Sequence, residues 1–371
     1  FYRGPLERSR LGFLLELFLS TGFQVNFFWL LPHPKFQNSN HRVLEPFMED
    51  FPQVPYQIIP GGLKDFWSSR KWIAKVLQSS PESVIVAIGF TSPYFLSKKL
   101  KNTMIWCING IPEESLLHRD TLLKRLEVFA KWKFAQMIFD PKLIVTVSGR
   151  MRDYLCRKFP KSRGVNIPLC VDLGRFGGSR EINRRFFTYS GSGAPWQNLM
   201  QLSEVWGCIH QLDPEIKFRV ISRDPRARVL AQNLPSKSIE FVGTSDLDEL
   251  AQWLLEAEVG FLLRKNTLVN RVSFPTKLSE YLASGAWVVG SDIDWDVAEI
   301  MKKYRTGILI DPELSSIEIA EKILQRRNEI QGDPDLDSRL NKAAEELGKP
   351  YWLKAGKEML EKSMLLSSKI H

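Results

Sequence analysis

The sequence is short of the residues that metal and redox chemistry use most. Its four cysteines, Cys107, Cys156, Cys170 and Cys208, show neither metal-ligand nor redox spacing. A chain of 371 residues can build a core without disulfides, so reduced thiols and a cytoplasmic setting are expected. The five histidines (His33, His41, His118, His210, His371) never pair at ligand spacing. There is no Gly-x-Ser-x-Gly, so a serine hydrolase finds no nucleophile motif. No apolar run reaches transmembrane length, and no signal peptide, repeat or low-complexity tract is visible. The chain opens on Phe1 rather than Met, which implies an upstream segment.

What is present has the make-up of a folded protein. Hydrophobic content of 44% and charged content of 25% are globular values, and the length suits two α/β domains. The net charge of +9 is unevenly spread. Through residue 180 there are 26 Lys+Arg against 14 Asp+Glu, a surplus of 12; the rest has 25 against 28. A basic half suggests an anionic partner, either nucleic acid or anionic lipid. Lys98-Lys99-Leu100-Lys101 and Lys131-Trp132-Lys133-Phe134 flank cations with apolar or aromatic residues, which suits a peripheral site on a membrane's inner face. Ordinary solvated faces are the plainer alternative, and no nucleic-acid recognition motif occurs.

Apolar runs alternate with amphipathic stretches. Helices are expected over 6–21, 66–77, 120–139 and 314–329, and strands over 23–31, 83–88, 104–108, 143–147, 186–189 and 217–221. Strands separated by helices imply parallel, doubly wound sheets. Gly177-Gly178-Ser179-Arg180 reads as a linker, and the tail from Pro350 is amphipathic.

The most informative stretch runs from 259 to 292. It reads as strand (259–263), basic loop, helix, strand (286–289). Ser273 is placed to cap the helix, Pro275 fits its first turn, and Gly285 ends it. A helix N-terminus at the carboxyl end of a parallel strand, beside Arg264, Lys265 and Arg271, is an anion-binding arrangement. Glu280, one turn further in, suits a ribose diol. The alternative is one more βαβ unit with solvated charges, with Arg271 an ordinary surface residue and Lys277 a structural i,i+3 partner of Glu280. Ser190-Gly191-Ser192-Gly193 after a strand lets backbone approach a phosphate, though a plain strand–helix turn reads the same way. Asp292-Ile293-Asp294 is an Asp-x-Asp that either holds a cation or starts a helix at 297–303. A two-carboxylate glycosidase scheme leaves the basic loop unexplained.

Ser273-Phe274-Pro275-Thr276-Lys277-Leu278-Ser279-Glu280-Tyr281-Leu282-Ala283-Ser284-Gly285 resembles the donor-site signature of glycosyltransferase family four, retaining enzymes of the GT-B fold. The family's Glu, seven residues, Glu pattern puts its second Glu at Glu280 and its first at Val272, where the carboxylate is missing. Ile167–Phe176 resembles the family's interdomain segment, Ile239–Gly243 its base-abutting strand, and Trp106–Glu114 its acceptor-side loop. The turn at 191–193 resembles the start of its donor domain, with Gln197 where a lysine is usual.

The resemblance implies two Rossmann-like domains facing each other across a cleft: 1–178 for the acceptor, 179–349 for the donor, and a C-terminal helix, 350–371, crossing back. It implies sugar transfer from a UDP- or GDP-sugar to a carbohydrate or lipid-linked acceptor, as in polysaccharide biosynthesis, with retention and without metal or cofactor. Arg264, Arg271 and Lys277 would stabilise the leaving diphosphate. Gly191, Ser192, Gly193, Trp196, Arg223, Val242, Lys265, Asn270, Ser273, Phe274, Pro275, Thr276 and Glu280 would hold the donor. Gly4, Asn109, Gly110 and Glu113 would lie on the acceptor side. The two departures, Val272 and Gln197, keep a second reading open: a non-catalytic GT-B-like binding or scaffold protein.

Overall fold

Short apolar runs become buried parallel strands. The computed structural model describes residues 5–22, 24–31, 48–60, 66–79, 83–89, 92–96, 103–117, 121–177 and 184–368. Cα packing divides the chain into two units, Phe1–Ile167 with Leu353–His371, and Pro168–Trp352. No helix among the described residues is long and apolar enough to cross a membrane.

The first unit has a parallel pair, β1 (Phe27–Leu31) with β2 (Tyr56–Pro60), and a four-stranded parallel sheet. That sheet runs β3 (Ile85–Ile88), β4 (Met104–Cys107), β5 (Leu143–Thr146), β6 (Arg163–Asn166). β4 and β5, Met-Ile-Trp-Cys and Leu-Ile-Val-Thr, are buried along their whole length, as central parallel strands must be. Trp106 on β4 packs against Trp132, Phe139 and Phe159, and its indole N–H donates to the Gly89 carbonyl at 2.9 Å. Helix Pro5–Ser20 buries Leu14, Leu15 and Phe18 as its spacing predicts. β6, Arg-Gly-Val-Asn, has too little apolar character to stand out in the sequence, and β2, Tyr-Gln-Ile-Ile-Pro, is short and bounded by prolines.

The second unit is a six-stranded parallel sheet in the order β12-β11-β10-β7-β8-β9. Its strands are β7 (Phe186–Ser190), β8 (Lys217–Ile221), β9 (Ile239–Val242), β10 (Ala257–Leu262), β11 (Trp287–Ser291) and β12 (Gly307–Ile310). An aromatic cluster of Phe187, Trp206, Phe218 and Phe261 fills the core on one face. Arg219, on β8, is buried too. It pairs with Glu240 and Glu256, donates to the Trp253 carbonyl, and lies 3.7 Å from the Phe186 ring centroid.

The segment after Ile167, read from the sequence as part of the first domain, groups with the second unit. Val171 forms a parallel bridge with Gly348, and Arg175 pairs with Asp248 at 2.8 Å. Residues 353–371 group with the first unit, and helix Lys349–Ser368 takes in 353–368 of them.

One contact sets the position of helix Thr276–Ala283. The Tyr281 ring lies on β10 at Gly260, where a Cβ would come within 2.3 Å of it. The Tyr281 hydroxyl accepts from the Ser190 N–H at 2.8 Å and donates to the Thr188 carbonyl at 3.4 Å. Gly260→Ala is therefore expected to destabilise the second unit by about 1–3 kcal/mol through overpacking. Tyr281→Phe, which keeps the ring, should cost about 1–3 kcal/mol from the unsatisfied Ser190 N–H. Urea denaturation of both variants measures this; an unchanged midpoint for Gly260→Ala would show that the close approach is dispensable.

Candidate functional site

The chain leaves β7, builds β8 and β9 on one side, then returns to place β10, β11 and β12 on the other. β7 and β10 are therefore the point at which strand order reverses, where open α/β sheets bind ligands outside the strand carboxyl ends. Tyr281 is anchored at that junction, so the start of its helix is held against both strand ends.

The turn after β7 is tied down internally. The Gly191 N–H donates to the Ile221 carbonyl at 3.1 Å and the Gly193 N–H to Asp224 Oδ2 at 2.9 Å. The Tyr189 hydroxyl donates to the Ser192 carbonyl at 2.7 Å. The expectation of a phosphate cradle at Gly191 and Gly193 thus meets N–H groups already partnered within the protein; Ser192 is exposed. Hydrogen bonding and charge from Arg226, with the Gly193 and Arg226 N–H groups, hold the Asp224 carboxyl at about 2. Arg223 is exposed beside it, and Val242 is half-buried at the end of β9.

The loop after β10 is not irregular throughout. Thr267 caps a short helix, Leu268–Val272, by accepting from the Asn270 N–H. Ser273 ends that helix, its hydroxyl donating to the Asn270 carbonyl at 2.9 Å. The cap of helix Thr276–Ala283 is Pro275, which has no side-chain acceptor. Ser273 is therefore not the N-cap expected from the sequence; a second helix turn intervenes and claims it. The following helix begins without a side-chain cap, beside Phe274, which is buried, and Thr276. Gly285, at φ +78, ends it, with the Gly285 and Ala286 N–H groups closing on Leu282 and Tyr281 carbonyls.

Arg264 is the unusual residue here. It is 6% exposed at the end of β10. Its backbone is fastened on both sides by the Ser291 hydroxyl, at 2.6 and 2.9 Å. No carboxylate pairs with its guanidinium among the described residues; its electrostatic neighbours are Tyr189 and Tyr281. Burial lowers the arginine's pKa and raises those of both tyrosines. A desolvated cation with no anion is costly to hold, and Arg219 shows how this sheet satisfies one when no ligand is involved. Lys265 and Arg271 are exposed nearby in the loop.

Half-buried Lys277 and buried Glu280 form a pair at 2.5 Å, the structural partnership that their spacing allowed. Only one Glu280 oxygen is engaged by it. Asn270 is buried, its amide donating to the carbonyls of Trp196 and Lys265, while Oδ1 has no partner. Asn270 thus staples the loop to the segment after the glycine turn. Val272 is buried in the core, so a glutamate there would have to bury a charge.

In the first unit, Glu113 accepts from the Tyr154 hydroxyl with one oxygen and buries the other without a partner. Asn109 is exposed, Gly110 half-buried, and Gly4 lies outside the described residues. Asp292 is paired with Lys302 at 2.9 Å, and helix Asp296–Tyr304 takes Trp295 as its cap, so neither aspartate serves as the expected N-cap. No group of three His, Cys, Asp or Glu side chains that could hold a metal occurs among the described residues. Sequence reasoning passed over Tyr189, Asp224, Tyr281 and Ser291. Only Asp224, ahead of Pro225, carried a local signal, that of a helix cap.

Residues 184–328 match the family model for glycosyl transferases group 1. That match lies within the second unit. No curated protein matches the sequence. Among solved structures, a glycosyltransferase from Rickettsia africae superposes with a TM-score of 0.61 at 13% identity, over 92% of this chain and 99% of that one. Sucrose-phosphate synthase from Thermosynechococcus elongatus gives 0.63 at 14%, over 95% and 92%. The pneumococcal O-GlcNAc transferase GtfA, in complex with UDP and GlcNAc, gives 0.55 at 13%, over 80% and 60%. At these identities the likeness establishes the fold, α/β with two Rossmann-like domains of the GT-B class.

Two outcomes follow for the second unit. The Asp224 pKa is depressed from 3.8 to about 2. Its contribution is therefore present above about pH 4 and lost as pH falls through about 2. Asp224→Asn should lower the melting temperature at neutral pH and leave it unchanged near pH 2; calorimetry across that range checks it. Glu280→Gln should destabilise by leaving Lys277 without its anion, and Lys277→Met/Glu280→Gln should recover most of that loss. A double variant as unstable as the single one would remove the pair from the account.

Proposed function

We propose that this protein is a retaining glycosyltransferase that moves a sugar from a UDP- or GDP-sugar to a carbohydrate or lipid-linked acceptor. The observation that carries the reading is Arg264: a buried cation with no carboxylate partner among the described residues, at the end of the switch-point strand β10, in the segment that leads into an uncapped helix. A group placed so needs an anion from outside, and a nucleoside diphosphate supplies one at the place where such sheets take ligands. The group 1 domain supports glycosyl transfer, and the similar transferase that holds UDP and GlcNAc supports a nucleotide leaving group.

Each residue then has a chemical role. As the bond from sugar to phosphate breaks, negative charge gathers on the diphosphate and positive charge on the sugar ring. Arg264, whose backbone Ser291 holds at the end of β10, meets the first. Lys265 and Arg271 add exposed cations at the mouth of the loop. The open Glu280 oxygen accepts from a ribose hydroxyl, while Lys277 holds the other oxygen. Retention is compatible with the donor phosphate taking the acceptor's proton, which needs no protein nucleophile.

The internally tied glycine turn and the buried Val272 favour a second reading, a GT-B-like binding protein without turnover. Thermal shifts with UDP, GDP, ADP and their sugars separate ligand classes, since a ligand at about 100 times its Kd adds roughly 2.7 kcal/mol. Arg264→Met should raise the melting temperature of the free protein, because it removes a desolvated charge. It should also lower kcat by about 10²–10³, more than it weakens donor binding. An Arg264→Met protein that is destabilised and turns over normally would make Arg264 structural. Wild-type protein that binds a nucleotide sugar but neither transfers nor hydrolyses it would select the second reading.

A further inference from the structure

We propose that helix Leu122–Ile138 of the first unit is a docking face for an anionic membrane surface. The helix turns two unlike faces outward and inward. Val128, Trp132 and Ala135 are buried. On the other side Leu122, Leu123, Leu126, Phe129, Phe134 and Met137 are exposed, Leu123 by 80% and Phe129 by 57%. At 100° per residue these six fall within an arc of about 140°. So many large apolar side chains on one solvent-facing stripe mark an interaction surface.

Charge decides what covers it. The helix carries four basic residues and one acidic residue, within a half of the chain that has a surplus of 12 cations. Arg125 and Lys133 are exposed, and the Lys133 ammonium lies 5.6 Å from the Phe129 ring centroid, inside the apolar stripe. Lys131 pairs with Glu127. An apolar stripe bordered by cations matches a surface that is apolar beneath and anionic above, which is a lipid headgroup layer. Helix Phe66–Gln78 packs on the same turn, Ser92–Phe95, and adds Trp67, 71% exposed, with Lys71 and Lys75 also exposed.

This corrects the sequence reading in its detail. Trp132, taken there as a membrane aromatic, is 6% exposed and packs on Trp106 and Phe159. The residues that face outward are its neighbours on the opposite side of the helix. Lys98, Lys99 and Lys101 lie outside the described residues.

Flotation of the full chain with vesicles tests the proposal without nucleotide, so it stands or falls apart from the donor-site reading. One set is phosphatidylcholine alone; the other contains about a third phosphatidylglycerol, at about 0.05 M and about 0.5 M salt. Wild-type protein should float with the anionic vesicles at low salt and much less at high salt. Leu123→Ser/Phe129→Ser, whose side chains lie in water and whose fold circular dichroism checks, should lower partitioning about tenfold or more. Lys133→Glu should lower it with a weaker salt dependence. The proposal is overturned by wild-type protein that stays down at low salt, or by a double variant that floats like wild type. Self-association that the double variant abolishes, without flotation, would assign the stripe to a second copy and overturn it equally.

Discussion

The Tyr281 side chain is the contact on which the strand-order junction of the second unit depends. Its ring needs β10 to present no Cβ at Gly260. Its hydroxyl takes the Ser190 N–H, which would otherwise be an unpaired donor at the end of β7. One residue thereby registers a helix against two adjacent strands at the junction where strand order reverses. The helix start, the glycine turn and Arg264 are placed relative to one another because each is fastened to one of those strands or to that helix.

The two buried arginines of the sheet show how environment separates structure from chemistry. Arg219 is enclosed by Glu240, Glu256, a carbonyl and the Phe186 ring, so its charge is answered inside the protein. Arg264 is held by its backbone through Ser291, and tyrosines rather than carboxylates surround its guanidinium. Burial raises the pKa of those tyrosines, so they stay neutral donors and acceptors. Among the described residues no carboxylate answers that positive charge, a local conflict of the kind that functional sites retain. Lys277, by contrast, is answered by Glu280, which makes it a positioning partner for that carboxylate rather than a second unpaired cation.

The same logic reorders the sequence-based site. Ser273 has the chemistry of a helix cap, but the turn Leu268–Val272 precedes it and uses its hydroxyl at a C-terminus instead. Gly191 and Gly193 have the freedom to approach a phosphate, but their N–H groups are closer to Ile221 and Asp224. Asn270, expected from the resemblance to hold the donor, has its amide engaged as a staple between two backbone segments. In each case residue type was compatible with two partners, and proximity chose.

Local pattern by itself determined a good deal of this protein. The apolar runs at 104–108, 143–147 and 286–289 read as buried parallel strands, and Gly285 as the end of the helix before the last of them. The cluster of cations after β10 and the carboxylate at Glu280 were visible from spacing, because both lie within about 20 residues of one another. What the tertiary structure alone decided depends on residues far apart in the chain. Gly260 against Tyr281, Arg264 with Ser291, and Gly193 with Asp224 are each separated by 21 residues or more. Which side of helix Leu122–Ile138 faces the core depends likewise on Trp106, on another strand. Periodicity along one segment cannot report such pairs, since an apolar or charged side chain has its meaning fixed by what packs across from it, and that partner comes from elsewhere in the fold.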